Sequence, residues 1–176
     1  QETALLPWLT TYRNVVFGPK LRGDMDPREL EAEANRIIDT VGLSEFKDKY
    51  PLQLSGGMQR RAELARAMIN PPILMIMDEP FRGLDAMSRE LMQEFFVKLF
   101  EDNRKTNLFV TSEIEEAVFL ADRVVVLSNR PTNVRKIIDI TLPRPRNFNM
   151  LSSSEAYEYK REAMELLHEE AMKSFK

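Results

Sequence analysis

The run Ile73-Leu74-Met75-Ile76-Met77 is apolar throughout and stops on Asp78-Glu79-Pro80. A short continuous apolar stretch has the pattern of a strand buried on both faces, and such strands belong to sheets covered by helices. The flanking sequence alternates accordingly. Residues 87–102 place Leu91, Phe95, Phe96 and Leu99 on a helix, Leu108-Phe109-Val110 reads as a second buried strand, and Ile114–Leu120 as a helix. Arg123–Leu127 and Val134–Ile140 read as further strands. This order predicts an α/β layer with a largely parallel sheet. The two carboxylates then lie at the carboxyl end of a core strand, where open α/β sheets hold their sites.

Residues 1–70 read as mostly helical. A loop from Trp8 enters a short helix that is expected to end near Gly18-Pro19. Asp26 caps the next helix, with Pro27 at its first position and Glu29 placed for a capping box. Leu30, Ala34, Ile37, Ile38 and Val41 follow at helical spacing, and Gly42 supplies the stop. A third helix opens after Ser55 and runs through Arg61, Leu64, Ala65 and Met68 to Pro71-Pro72. Beyond the strands, Leu142-Pro143-Arg144-Pro145-Arg146 is too proline-rich for regular structure. From Ser154 a tail helix carries Tyr159, Ala163, Leu166, Leu167 and Phe175 as its apolar stripe, with Ser152 and Glu155 as a candidate capping box. It reads as a packing helix, with a regulatory or partner-docking role as the sharper alternative.

Composition narrows the class. The net charge of −3 argues against nucleic acid as the main partner, since phosphate binding needs a basic surplus. Arg130, Arg135, Lys136, Arg144 and Arg146 form one basic stretch, read as solvated loop charges. With no cysteine, disulfides and thiolate metal sites are excluded, which suits a reducing compartment. No apolar run approaches the ~20 residues that span a bilayer.

Two places carry chemistry. Ser55-Gly56-Gly57 begins a helix with a serine cap and two glycines, leaving backbone N–H groups unhindered at the positive end of the dipole, a setting that suits a phosphate. At the strand end, Asp78 can hold Mg²⁺ through water and Glu79 can polarise an attacking water as general base. Each has a plainer reading, an ordinary capped helix and two surface acids. The full string Leu54-Ser55-Gly56-Gly57-Met58-Gln59-Arg60-Arg61 upstream of a strand ending Asp-Glu-Pro is far more specific than either part.

Together these strings resemble the ATP-binding subunits of ABC transporters. Leu54–Arg61 is similar to the signature motif, Ile73–Glu79 to the Walker B motif, and Phe81-Arg82-Gly83-Leu84-Asp85 to the D-loop. Gln1, followed by Leu5-Leu6-Pro7-Trp8-Leu9, looks like the Q-loop glutamine. The Leu-Leu-Pro-Trp string and the 124–146 segment resemble the nitrate/sulfonate/taurine importer branch. The resemblance implies an α/β fold, a partial P-loop NTPase-like ABC ATPase domain with an α-helical subdomain and a C-terminal helix. It divides the chain into a Q-loop and helical subdomain (1–70) ending in the signature helix, the C-terminal part of the α/β ATPase core (71–147), and a linker with the amphipathic helix (148–176).

By the same resemblance, Ser55, Gly56, Gly57, Gln59 and Asp85 would face nucleotide, the signature turn serving the site of a second ATPase subunit. Asp78 and Gln1 would serve the metal, and Glu79 would be the base. ATP and Mg²⁺ are the implied cofactors. Transmembrane permease subunits are the implied partners, with a solute-binding protein acting through them, which places the chain at the cytoplasmic face of a bacterial inner membrane.

The pattern is broken twice. The phosphate loop, G-x-x-x-x-G-K-S/T, is nowhere in the sequence: Gly18 and Gly23 have the glycine spacing, but Asp24-Met25 follow. The resemblance places the loop upstream of Gln1, so the chain as it stands is expected to be inactive alone. Secondly, Val110-Thr111-Ser112-Glu113 stands where the family has its switch histidine. Ser112 is the candidate replacement, able to donate one hydrogen bond. The lone His168, on the tail helix, reads as a solvated residue. Two competing functions follow: a hydrolysis-impaired module that dimerises on ATP, and an ABC protein without a membrane partner.

Overall fold

The computed structural model describes residues 4–23, 25–70, 72–103 and 106–174. The chain forms two compact units, one of residues 1–75 and 81–92, the other of residues 76–80 and 93–176. In chain order the elements are α1 (Thr11–Arg22), α2 (Pro27–Thr40), α3 (Gly56–Met68), β1 (Leu74–Asp78), α4 (Ala86–Asn103), β2 (Thr106–Val110), α5 (Ile114–Leu120), β3 (Arg123–Leu127), β4 (Val134–Asp139) and α6 (Ser154–Ser174). Single 3₁₀ turns occupy Ser44–Phe46, Pro51–Gln53 and Phe148–Ser152. Among the described residues no helix is long and apolar enough to cross a membrane.

In the first unit α1 packs on α2 and α3. Asp26 caps α2 by accepting the N–H groups of Arg28 and Glu29, and Leu30, Ala34, Ile37 and Ile38 form its buried face. Helix α1 does not stop at Gly18-Pro19. Val15, Val16 and Pro19 lie on one buried face, and the missing proline N–H interrupts one bond without ending the helix. The stop is Gly23, in the left-handed region, whose N–H bonds to the Pro19 carbonyl at 2.9 Å.

Gly42 ends α2 with φ +66°, its N–H on the Asp39 carbonyl and the next N–H, of Leu43, on the Ile38 carbonyl. A Cβ there would lie 3.2 Å from Nη1 of Arg61. Arg61 itself donates to the Val41 carbonyl, so it cannot simply swing away.

In the second unit the sheets depart from expectation. β1 pairs with β2, but β3 and β4 form a separate two-stranded antiparallel sheet, Val125 opposite Ile137 and Leu127 opposite Val134. Residues 128–133 are too few for the crossover a parallel pair requires, which takes about a dozen residues or more. Nor are β1 and β2 buried on both faces: Leu74, Ile76, Leu108 and Val110 are between 47 % and 64 % exposed. An apolar run shows that a strand can be covered; it does not show that the described residues cover it.

The tail helix is capped by Ser153, whose Oγ accepts the Ala156 N–H at 3.1 Å; Ser152 belongs to the preceding 3₁₀ turn. Its buried line is Ala156, Ala163 and Glu170. Tyr159 and Leu166 are half-buried at the flanks and Leu167 is largely outside, as is His168; Phe175 lies outside the described residues. Small alanines let α6 approach α5 closely, while ion pairs hold its edge: Lys160 to Glu115 at 2.8 Å, Lys136 to Glu162 at 2.8 Å and Arg135 to Glu170 at 3.0 Å. Glu170 also accepts the Asn129 N–H at 3.0 Å and the Lys173 ammonium at 2.5 Å. Of the basic stretch, then, Arg135 and Lys136 are paired to α6.

Two outcomes follow. Gly42→Ala forces a left-handed alanine against Arg61 and should lower unfolding free energy by about 1–2 kcal/mol, measured by urea denaturation. Lys173, then the Asn129 N–H, hold the Glu170 carboxyl below its usual value. A depressed carboxylate stabilises the fold above its unfolded pKa and loses that contribution as pH falls through the folded one. The protection factor of the Asn129 amide should therefore be high at neutral pH and fall below the ordinary carboxylate range.

Candidate functional site

The first cluster of expected residues lies in the first unit, at the start of α3. Ser55 caps the helix, its Oγ accepting the Met58 N–H at 3.3 Å. Neither following glycine has a positive φ. A Cβ on Gly57 would meet nothing within 4 Å, and one on Gly56 would make only ordinary contact, 3.7 Å from Cδ2 of Leu84. Glycine offers a helix no intrinsic advantage over alanine. Since packing and backbone conformation ask for neither glycine, the open space over them is what the residue choice preserves. A negatively charged group approaching the bare backbone at the N-terminus of α3 fits that space.

Gln59 also belongs to this turn. Its amide nitrogen donates to the carbonyls of Pro51 (2.9 Å) and Leu54 (3.3 Å), bracing the loop that leads into the cap. Asp85 is the cap of α4, accepting the Ser88 N–H at 3.0 Å, and Ser88, through hydroxyl and backbone, holds its carboxyl below the usual carboxylate value.

The second cluster lies in the second unit. Asp78 ends β1 and is exposed, with its carboxylate open to solvent. Glu79 follows with φ 46°, a left-handed conformation that is uncommon for a residue with a side chain. Its backbone N–H bonds to the Val110 carbonyl at 2.8 Å, and its Oε1 accepts the backbone N–H of Ser112 at 3.1 Å. The structure thus brings Glu79 and Ser112 together, through the Ser112 main chain. Ser112 is exposed, and Thr111 Oγ1 accepts the Glu113 N–H at 3.1 Å, shaping the bend that presents the Ser112 amide.

No group of three or more His, Cys, Asp or Glu among the described residues could hold a metal ion by itself. A single open carboxylate such as Asp78 fits Mg²⁺, which keeps several waters and takes its other ligands from phosphates. Gln1 lies outside the described residues.

The structure adds two clusters of polar contacts that the sequence does not mark. Asn14, fully buried, gathers the Leu5–Leu9 loop: its Oδ1 accepts the Leu6 N–H at 2.8 Å, and its Nδ2 faces the carbonyls of Leu6, Leu9 and Thr10. An asparagine on the apolar face of a helix was the available signal. Arg144 and Arg146 are the other group. The Arg146 side chain is 1 % exposed, so it is no solvated loop charge. Arg144 bonds to Asp122 (2.8 Å) and Glu101 (3.3 Å). Sequence alone offers no signal for what a buried arginine touches.

The family model for ABC transporters matches residues 1–82. An uncharacterized ABC transporter ATP-binding protein of Methanocaldococcus jannaschii is 43 % identical over 176 residues, 100 % of this chain and 64 % of the relative. The nitrate import ATP-binding protein of a Synechocystis species is 37 % identical over 95 % of this chain and 65 % of its own length. The taurine import ATP-binding protein of a Jannaschia species is 40 % identical over 77 % of this chain and 50 % of its own. Among solved structures, a dimeric post-hydrolysis state of an ATP-binding cassette bound to ADP and Pi superposes with a TM-score of 0.64 at 30 % identity, covering 81 % of this chain and 62 % of that one. The chain thus spans between half and two-thirds of the length of these relatives. Over the stretch it shares with them, the chain is similar to ABC transporter ATP-binding proteins and has the fold of the ABC ATPase cassette.

Proposed function

We propose that the protein carrying this chain is the ATP-hydrolysing subunit of an ABC importer, coupling ATP turnover to uptake of a small solute such as nitrate, sulfonate or taurine. The observation that carries the hydrolytic part is Glu79: a carboxylate in a left-handed conformation at a strand end, its oxygen held by the Ser112 amide at 3.1 Å. A strained residue at a strand edge is where catalytic groups concentrate. The solute class rests on relatives named for nitrate and taurine import.

In this reading Glu79 polarises the attacking water and Asp78 holds Mg²⁺ through water; Gln1, outside the described residues, would also serve the metal. When bound, the metal offsets charge on the β- and γ-phosphates. Ser55, Gly56 and Gly57 bind the γ-phosphate in the site of a second cassette, with Gln59 shaping their turn and Asp85 fixing the start of α4 beside Leu84. The neighbouring structure is a dimer, which supports this pairing. Permease subunits would dock on the first unit, where Trp8 (68 %), Leu21 (77 %) and Leu52 (90 %) expose apolar surface. That docking places the protein on the cytoplasmic side of the membrane, and a solute-binding protein acts through the permease. The residues of this chain do not include the phosphate loop.

The second reading, an ATP-dependent dimerisation module with impaired hydrolysis, is favoured by Ser112 in the histidine position. Turnover by the whole protein separates the two. Glu79→Gln should lower kcat by about 10²–10⁴-fold, the usual worth of a general base. Ser112→Ala should leave turnover unchanged, because the main chain makes the contact. A wild-type protein that dimerises on ATP without turning it over would establish the second reading instead.

The signature turn has its own test. Ser55→Ala removes the cap and should cost about 1 kcal/mol of stability. Ser55→Asp keeps the cap but places a negative charge where the phosphate binds. It should leave the melting temperature unchanged and abolish ATP-driven dimerisation, measured by light scattering in a Glu79→Gln background. Dimerisation of Ser55→Asp at the normal ATP concentration would remove the turn from the nucleotide site.

A further inference from the structure

Helix α5 has seven residues, and its last hydrogen-bonded carbonyl is that of Ala117, which accepts the Ala121 N–H at 3.1 Å. The carbonyls of Val118, Phe119, Leu120 and Ala121 have no acceptor role left inside the helix. Two arginines supply all of their partners. Nη1 of Arg146 lies 3.2 Å from the Val118 oxygen, 3.0 Å from that of Phe119 and 2.7 Å from that of Ala121. Nη2 of Arg144 takes the Leu120 oxygen at 2.9 Å.

The same Arg146 reaches the carbonyls of Leu142 and Ile140, both at 3.4 Å, tying α5 to the strand exit. Asp122 and Glu101 balance the two cations. A guanidinium has five donors and no acceptor, which suits it to a cluster of carbonyls at the negative end of a helix dipole.

The other end of α5 is held differently. Glu113, at the cap position, makes no side-chain capping bond, and the residue before it is Ser112, whose N–H holds Glu79. The first turn is tied at its sides, Glu115 to Lys160 at 2.8 Å and Glu116 to Gln93 at 3.0 Å, while the arginines hold the C-terminal end; at 1.5 Å per residue a displacement of that end passes through about 10 Å of helix to the Ser112 amide.

We propose that Arg144 and Arg146 form a clamp that positions the Ser112 main chain on Glu79, and so are positioning residues for the hydrolytic step. This rests on the ATPase reading above. What separates the clamp from a general support of the fold is its readout: weakening it in a folded protein should slow hydrolysis and leave nucleotide binding and dimerisation alone.

Arg146→Lys keeps the charge but can reach only part of the carbonyl cluster. In the whole protein it should lower kcat at least tenfold with the KM for ATP within a factor of two, and ATP-driven dimerisation in the Glu79→Gln background should be unchanged. Amide exchange at Ser112, read by NMR, should accelerate while that of α4 does not. That readout needs no turnover, so it tests the clamp even if the protein proves not to hydrolyse ATP. Should Arg146→Lys fail to fold, Arg144→Gln, which frees one of the four carbonyls and breaks the ion pairs to Asp122 and Glu101 at a one-third-exposed side chain, should give a smaller kcat loss with the same pattern. Unchanged kcat with unchanged Ser112 exchange in a folded variant would overturn the clamp, as would an equal fall in kcat and dimerisation.

Discussion

Four carbonyls at the end of α5 have no partner within the helix, and much of the second unit is arranged around supplying one. Leaving a buried polar group unsatisfied costs about 1–3 kcal/mol, so four together would rival the ~5–15 kcal/mol by which a domain is stable. Arg146 meets three and Arg144 the fourth. The arrangement serves the arginine as well, because a buried cation is tolerated only where carbonyls and a carboxylate surround it. Burial, followed by the neighbouring Arg144, lowers the Arg146 pKa, while Asp122 opposes that shift. Helix and cation are each stable in place because of the other.

A different logic governs Gly56, Gly57 and Glu79. The first unit accepts two glycines at the start of α3 although neither conformation nor packing needs them. The second accepts a left-handed Glu79 at the end of β1, at a cost of about 1–3 kcal/mol. Both are local choices that the backbone conformation alone does not favour. Under the ATPase reading the compensation comes from outside the chain, as phosphate over the glycines and water against the carboxylate.

What could be read from the sequence follows the range of the interactions. Ser55, Asp26 and Gly42 act on residues within a few positions of themselves, and each stands where the local pattern puts it. Gly18-Pro19 looked like a stop because the buried face formed by Val15, Val16 and Pro19 depends on α2 and α3, which lie far along the chain. The antiparallel β3–β4 pair has a related cause: strand–helix alternation carries direction only where a crossover is long enough, and the link from β3 to β4 is not. Arg146 was illegible altogether. Nothing in Leu-Pro-Arg-Pro-Arg distinguishes a solvated arginine from one whose acceptors lie 25–28 residues upstream.

The same distinction bears on the missing histidine. A side chain that orients a base can be lost by one substitution, and sequence comparison registers the loss at once. A main-chain amide cannot be substituted away except by proline, and it leaves no trace in residue identity. With the Ser112 N–H on Glu79 Oε1, the serine in that position says little about whether the carboxylate is oriented. What decides it is the path of the backbone between β2 and α5. That path is set at its near end by the Glu79 N–H on the Val110 carbonyl and at its far end by how firmly α5 is seated. Under the ATPase reading, the departure from the family pattern at position 112 therefore supports impaired hydrolysis less than it does in the sequence alone, because the main chain, not a side chain, orients the Glu79 carboxylate.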